Sequence, residues 1–370
     1  MPKKGCEDLS ILFQPISIGS MVVRNRFVRS ATNDYMGNED GSISDREVSL
    51  YRKLAENGVG LIITGHSYVQ HPLGRARTGQ NAIYEDRFIE GYRRLADVTH
   101  NNGAKLVLQI SHAGRQSLDT AGGQVPVAPS AVTDSSTGIT PRELTGEEIR
   151  QWIDAFAAAM ARAKAAGCDG VQLHVAHGYG LSQFISPYTN RRYDMWGGSI
   201  ENRTRILREI MAKGRQMVGS DYPVLVKLNS TDGFDGPGYL SLEDVIYTAK
   251  ILEEAGVAAI EVSGGIQEAK GTMSRTNIEN LEQEAYFSGA ARAIKKVVTI
   301  PVILVGGLRS RSVMEALITS GAADMVALSR PFINEPDLVI RFWSGQVRAS
   351  CISCNACFNP KGIECCRKMI

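Results

Sequence analysis

The sequence predicts one (β/α)8 barrel, and three observations carry that expectation. Short apolar runs recur eight times along the 370 residues. Most are followed by a segment with helical periodicity, and many of those segments end in glycine. Polar residues gather at the ends of the apolar runs, where the loops of such a barrel converge.

The runs lie at 26–31, 59–64, 105–111, 170–175, 223–229, 257–263, 301–306 and 324–329. Each is short and mostly apolar, as strands covered on both faces are. Between them, 45–57, 88–102, 146–166, 200–218, 242–254, 285–297 and 310–320 carry good helix formers at 3.6-residue spacing. Gly58, Gly103, Gly167, Gly256 and Gly321 stand where a helix needs a left-handed C-cap. A doubly wound sheet would want a G-x-G-x-x-G turn after an early strand, and none is present. Residues 12–21 read as a short hairpin closing the barrel's bottom. The long loops 114–145 and 264–284 read as walls of a pocket. The expected division is a barrel over 1–346 and a cysteine-rich tail over 347–370.

A net charge of +2 leaves no basic footprint for nucleic acid or anionic lipid. The N-terminus has no signal-peptide pattern and no apolar run reaches spanning length, so a soluble cytoplasmic protein is expected. Five of the seven cysteines, Cys351, Cys354, Cys357, Cys365 and Cys366, crowd the end of the sequence. That clustering points to a metal or thiol site rather than a disulfide framework.

The chemistry is densest at 171–199, VQLHVAHGYGLSQFISPYTNRRYDMWGGS. His174 closes a buried strand, and Gly178 and Gly180 break the run into a loop holding His177 and Tyr179. Two imidazoles and a phenol at this spacing can enter one cleft, donate hydrogen bonds to a carbonyl and supply a proton beside it. A partial metal site and a merely structural histidine pair are the alternatives. Other strand ends are polar too: Ser30, Ala31 and Thr32, then Gln109, Lys227, Gly306 with Gly307, and Ser329 with Arg330. Glycines and a helix N-terminus in the seventh and eighth loops suit a phosphate, and Arg330 can fork its oxygens.

The run H-x-x-H-G-Y, continued by FISPYTNRRYDMWGGSIENRTR, resembles the signature of the old yellow enzyme family of FMN-dependent ene-reductases, and the likeness extends from NRFVRSAT to SRPFINEPD. The resemblance implies an oxidoreductase in which NADH or NADPH reduces FMN and the flavin then reduces a small enone-type substrate, in an expected homo-oligomer. By position, Ser30, Ala31 and Thr32 match the segment along the flavin, and Gln109 the residue at its pyrimidine edge. His174 and His177 match the carbonyl-binding pair, with His174 also against the flavin. Tyr179 matches the proton donor and Tyr35 a substrate-contacting tyrosine. Lys227 replaces a common arginine, and Gly306, Gly307, Ser329 and Arg330 match the phosphate cradle, with Ser329 in place of a usual glycine. Asn33 departs from a Cys or Thr that tunes the flavin, and His66 from a small residue.

The run C-x2-C-x2-C at Cys351, Cys354 and Cys357 resembles the beginning of the four-iron [4Fe-4S] series of trimethylamine dehydrogenase and 2,4-dienoyl-CoA reductase. Cys366 or Cys365 would be the fourth ligand, nearer than the family spacing; zinc and a metal-free thiol tail are the alternatives. With the sequence stopping at Ile370, the further nucleotide-binding domains of those relatives are not expected here. Beside the ene-reductase, an amine-demethylating flavoenzyme passing electrons through a cluster and a redox-sensing flavin-binding protein stay open.

Overall fold

The computed structural model describes residues 10–117 and 123–366. Parts of the N-terminal segment, of the 114–145 loop and of the cysteine tail lie outside the described residues. Eight parallel strands close on themselves: β1 (Phe27–Arg29), β2 (Leu61–Ile63), β3 (Lys105–Ser111), β4 (Gly170–Val175), β5 (Val224–Asn229), β6 (Ala259–Ser263), β7 (Val302–Val305) and β8 (Met325–Leu328). Pairing of β8 with β1, and of β2 with β3, completes the ring. Every strand coincides with a predicted run, and β3 and β4 match to the residue.

The α-helices before β8 are α1 (Asp45–Glu56), α2 (Ile89–His100), α3 (Gly146–Ala165), α4 (Gly180–Ile185), α5 (Ile200–Arg203), α6 (Arg205–Val218), α7 (Leu242–Glu254), α8 (Ser288–Lys295) and α9 (Arg311–Thr319); all but α4, where the sequence reads as loop, fall on expected segments. The five C-cap glycines have φ of 93°, 70°, 83°, 86° and 69°, as the left-handed cap requires. Two segments differ from the reading. The 200–218 helix is broken at Thr204, whose hydroxyl donates back to the Ile200 carbonyl at 2.7 Å. The 285–297 helix starts only at Ser288, because Ala285 sits at φ 55° and cannot belong to a right-handed turn.

Alternation along the strands sorts the core into two layers. Val171, Leu173 and Val175 of β4, with Val224, Val226 and Leu228 of β5, face outward into the main core with the helices. Val107, Leu225, Ala259, Ile303 and Met325 face inward. The hairpin is displaced from 12–21 to Ile16–Ile18 paired with Met21–Val23. Its Ile18, Met21 and Val23 insert among those inward residues and plug the barrel bottom. Each such buried aliphatic contributes about 1.5–3 kcal/mol. Apolar packing thus fills the lower interior and leaves the upper layer to polar side chains. Among the described residues no helix is long and apolar enough to cross a membrane.

Candidate active site

The inward residues of the upper layer form a chain of hydrogen bonds across the barrel. Gln109 on β3 donates from Nε2 to Gln172 Oε1 on β4 at 2.6 Å, and Gln172 Nε2 donates to Glu261 Oε2 on β6 at 2.9 Å. Ser30, just past β1, donates to Glu261 Oε1 at 2.6 Å and accepts from Lys227 Nζ on β5 at 2.9 Å. Lys227 and Glu261 form an ion pair at 3.2 Å, with side chains 2% and 0% exposed. Burial pulls Lys227 below the ordinary lysine value, and Glu261 opposes that. Sequence reasoning had marked Ser30, Gln109 and Lys227 but missed Gln172 and Glu261. Strand alternation was the available signal, since Gln172 is two residues before His174 and Glu261 two before Ser263.

Above this layer lies a cleft of about 200 Å3 lined by Ser30, Ala31, Thr32, Asn33, His177, Lys227, Ser263, Gly306, Gly307, Ser329 and Arg330, among others. One cavity thus gathers expected flavin residues from four strand ends, those of β1, β5, β7 and β8; Gln109 and His174, 2% and 3% exposed, are buried away from its lining.

His174, His177, Tyr179 and His66 come together at one side. Ring centroids lie 5.2 Å apart for His174–His177, 4.9 Å for His174–Tyr179, 5.5 Å for His66–His174 and 4.6 Å for His66–Tyr179. His177 adopts φ 64°, and its Nε2 lies 2.8 Å from the Ser263 hydroxyl. His174 Nδ1 is buried without a partner. Burial, with Lys227 adding repulsion, pulls His177 and His66 down to about 3. Burial and then His177 hold His174 well below the usual imidazole range. All three imidazoles are therefore neutral at physiological pH, each with one N–H to donate. Burial pushes the Tyr179 phenol up to about 12, so it keeps its proton.

His66, for which the sequence offered no account, is the third wall of this cluster. Ala76 N–H donates to Gln80 Oε1 at 2.7 Å, which orients the amide so that Gln80 Nε2 donates to His66 Nδ1 at 3.0 Å. The His66 proton then sits on Nε2. Tyr35 and Arg77 line a second open cleft of about 620 Å3, and both are felt electrostatically by Tyr179.

At the entry to α9, Arg309 N–H and Ser310 N–H donate to Glu284 Oε2 at 2.7 and 2.8 Å, and Arg311 N–H donates to the Val347 carbonyl at 2.9 Å. The Gly306–Gly307 backbone and Arg330 line the cleft itself. Gly307, at φ 70°, passes so close to Tyr286 that a Cβ there would meet the ring at 2.8 Å. Arg330 donates from Nη1 to the carbonyls of Arg275 and Ser353 and to Asn355 Oδ1, at 2.7, 3.1 and 2.8 Å. Ser329 Oγ is 2.7 Å from Thr32 Oγ1, and so ties the eighth strand end to the first.

Beyond Arg330 a small cavity of about 20 Å3 is lined by Cys351, Cys354, Cys357, Cys365 and Cys366. Burial raises the Cys351 thiol and pushes Cys357 up to about 11. Among the described residues no three His, Cys, Asp or Glu side chains are already arranged as metal ligands.

A barrel with buried cations and glycine loops around one cleft, and neutral imidazoles with a tyrosine beside it, can hold an anionic ligand and offer it hydrogen bonds and a proton. The sequence profile of the NADH:flavin oxidoreductase / NADH oxidase family matches residues 11–348, and the chain belongs to that family. It is 42% identical over 347 residues to an NADH oxidase of Thermoanaerobacter brockii, covering 93% of this chain and 52% of that protein. It is 32% identical to an NADPH dehydrogenase of Clostridium acetobutylicum, covering 89% of this chain and 93% of the relative. The structure of an old yellow enzyme homologue from Zymomonas mobilis superposes with a TM-score of 0.77 at 27% identity, covering 91% of this chain and 93% of that one. The chain thus spans about half the length of the NADH oxidase and nearly all of the NADPH dehydrogenase.

Proposed function

We propose that this protein is an FMN-dependent ene-reductase that takes reducing equivalents from NADH or NADPH and delivers them to alkenes conjugated to a carbonyl group. The observation that carries the reading is the convergence of neutral His174 and His177 with protonated Tyr179 beside a cleft lined by Lys227 and Arg330. The donor set fits FMN: Arg330 and the Gly306–Gly307 backbone suit its phosphate, Lys227 the charge on its reduced ring, and Gln109 the ring's polar edge. When bound, FMN supplies hydride transfer.

The chain's own residues would do the rest. His174 and His177 donate N–H bonds to the substrate's carbonyl oxygen and stabilise the negative charge that grows there. Being neutral, they polarise without giving up a proton. Tyr179 holds its proton at Oη for the alkene carbon next to the carbonyl, and the apolar outer core keeps the cluster dry. Asn33, at the cleft, is the residue we expect to modulate flavin potential.

The test is a spectrum of anaerobically purified protein titrated with NADPH and then with cyclohexenone. Flavin bands that bleach and then recover are expected; protein that binds no flavin, or reduced flavin that the enone leaves unchanged, would overturn the proposal.

A second reading concerns the five cysteines on one cavity. Their thiol donors suit an iron–sulfur cluster held by Cys351, Cys354, Cys357 and either Cys366 or Cys365. A cavity of about 20 Å3 must open to admit it. Iron and sulfide in stoichiometric amounts would establish the cluster and favour electron transfer to a partner; their absence from anaerobically reconstituted protein would remove it.

A further inference from the structure

We propose that Glu261 is a positioning residue that anchors and charges Lys227 at the flavin site, so that a lysine–glutamate pair, rather than a lone cation, sets the potential of the flavin. The inference rests on the flavin reading above and deepens it.

Lys227 and Glu261 are direct partners in the β5–β6 register, so their side chains leave neighbouring strands on the same inward face. Glu261 is the point at which the buried chain of donors ends. Ser30 Oγ and Lys227 Nζ meet its Oε1 at 2.6 and 3.2 Å, and Gln172 Nε2 meets its Oε2 at 2.9 Å. Its oxygens face donors alone, which is the environment of an ionised carboxylate. Gln109 feeds the same acceptor through Gln172, whose Oε1 accepts from Gln109 Nε2 while its own Nε2 donates to Glu261.

A lysine needs this partner in a way an arginine would not. Its ammonium is a point charge on a flexible stem, with no fork to fix its direction, and full burial works against its charge. Glu261 supplies both direction and charge compensation. The pair is close to neutral, so a reduced, anionic flavin gains less from Lys227 than it would from a free cation. Other titratable groups around Lys227 are Arg29 on β1, His174 and His177 beyond it, and His66; the three imidazoles are neutral.

The test compares Glu261→Gln, which keeps the shape and removes the charge, with Glu261→Asp, which keeps the charge. The readouts are the two-electron midpoint potential of bound FMN across pH, the Kd of apo-protein for FMN, and the apo-protein's thermal melt. In Glu261→Gln the reduced flavin should be favoured by about tenfold, which for a two-electron couple is a rise of about 30 mV. That rise should vanish at high pH, because Lys227 without its carboxylate loses its proton at lower pH than in the wild type. Glu261→Asp should restore the wild-type potential. An unshifted potential in Glu261→Gln, or an equal shift in both variants, would overturn the proposal. Loss of FMN binding in both variants with unchanged melts would assign Glu261 to shaping the site and overturn it as well. Wild-type protein that binds no FMN would instead sink the flavin reading itself.

Discussion

Replacing Tyr179 by phenylalanine isolates proton delivery from everything else the cluster does. The ring contacts with His66 at 4.6 Å and His174 at 4.9 Å survive the change, so no cavity opens and the fold should lose no more than about 1 kcal/mol. A positioned general acid contributes typically about 10²- to 10⁴-fold. Burial holds this phenol at about 12, a hundredfold weaker acid than an ordinary tyrosine near ~10, which places the expected loss toward the lower part of that range. We expect the enone half-reaction, followed by stopped flow as reoxidation of the flavin, to slow by about 10²- to 10³-fold. Reduction by NADPH should stay within about twofold, since no proton from Tyr179 enters it. The acid form prevails below the raised value and is lost only as the pH climbs through about 12, so the wild-type enone step should show no alkaline limb from this residue across the neutral range. Equal loss in both half-reactions would refute the assignment, as would an enone step that does not slow.

Three further outcomes follow from the packing and the titrating groups. A Cβ on Gly214 of α6 would approach the sulfur of buried Met160 on α3 far inside contact distance, so Gly214→Ala should lower stability by about 1–3 kcal/mol by thermal melting, despite the gain in helix propensity. Glu47 is raised above the carboxylate range by burial and by Asp34, so its protonated form stabilises the fold at low pH and that contribution is lost as the pH rises through its folded value. Wild-type Tm should therefore fall between about pH 5 and pH 8.5, and Glu47→Gln should flatten the fall; an unchanged slope would count against this account. Under reducing, chelating conditions at mildly alkaline pH, iodoacetamide should label exposed Cys354 readily. It should spare Cys168, which is buried with its thiol pushed up to about 12, and peptide mass spectrometry would read the ratio.

The barrel was legible because its strands announce themselves twice, as apolar runs and by the glycine that ends the preceding helix. Tertiary contacts decided what the sequence left open. Thr204 reads as an ordinary helix residue until its hydroxyl turns back on Ile200, and nothing in the local pattern around Ala285 reveals a left-handed backbone. The hairpin moved by several residues because burying Ile18, Met21 and Val23 in the barrel's lower end outweighs local turn preference.

The site divides in the same way, and the division explains which residues were missed. His174, His177, Tyr179 and the paired glycines stand out because loop residues of those types have few other reasons to occur together. Gln172 and Glu261 sit inside otherwise apolar strands, where a single polar residue looks like noise, and Glu284 sits at the end of a polar loop. Their meaning comes from tertiary contacts: Glu261 matters because register sets it against Lys227, and Glu284 because it accepts from the Arg309 and Ser310 N–H groups at the entry to α9. Arg330 is itself tied through Ser353 and Asn355 to the cysteine segment. If Arg330 holds the FMN phosphate as proposed, a ligand that rearranges those cysteines would shift a wall of the cleft, and FMN affinity should respond to the state of the thiols.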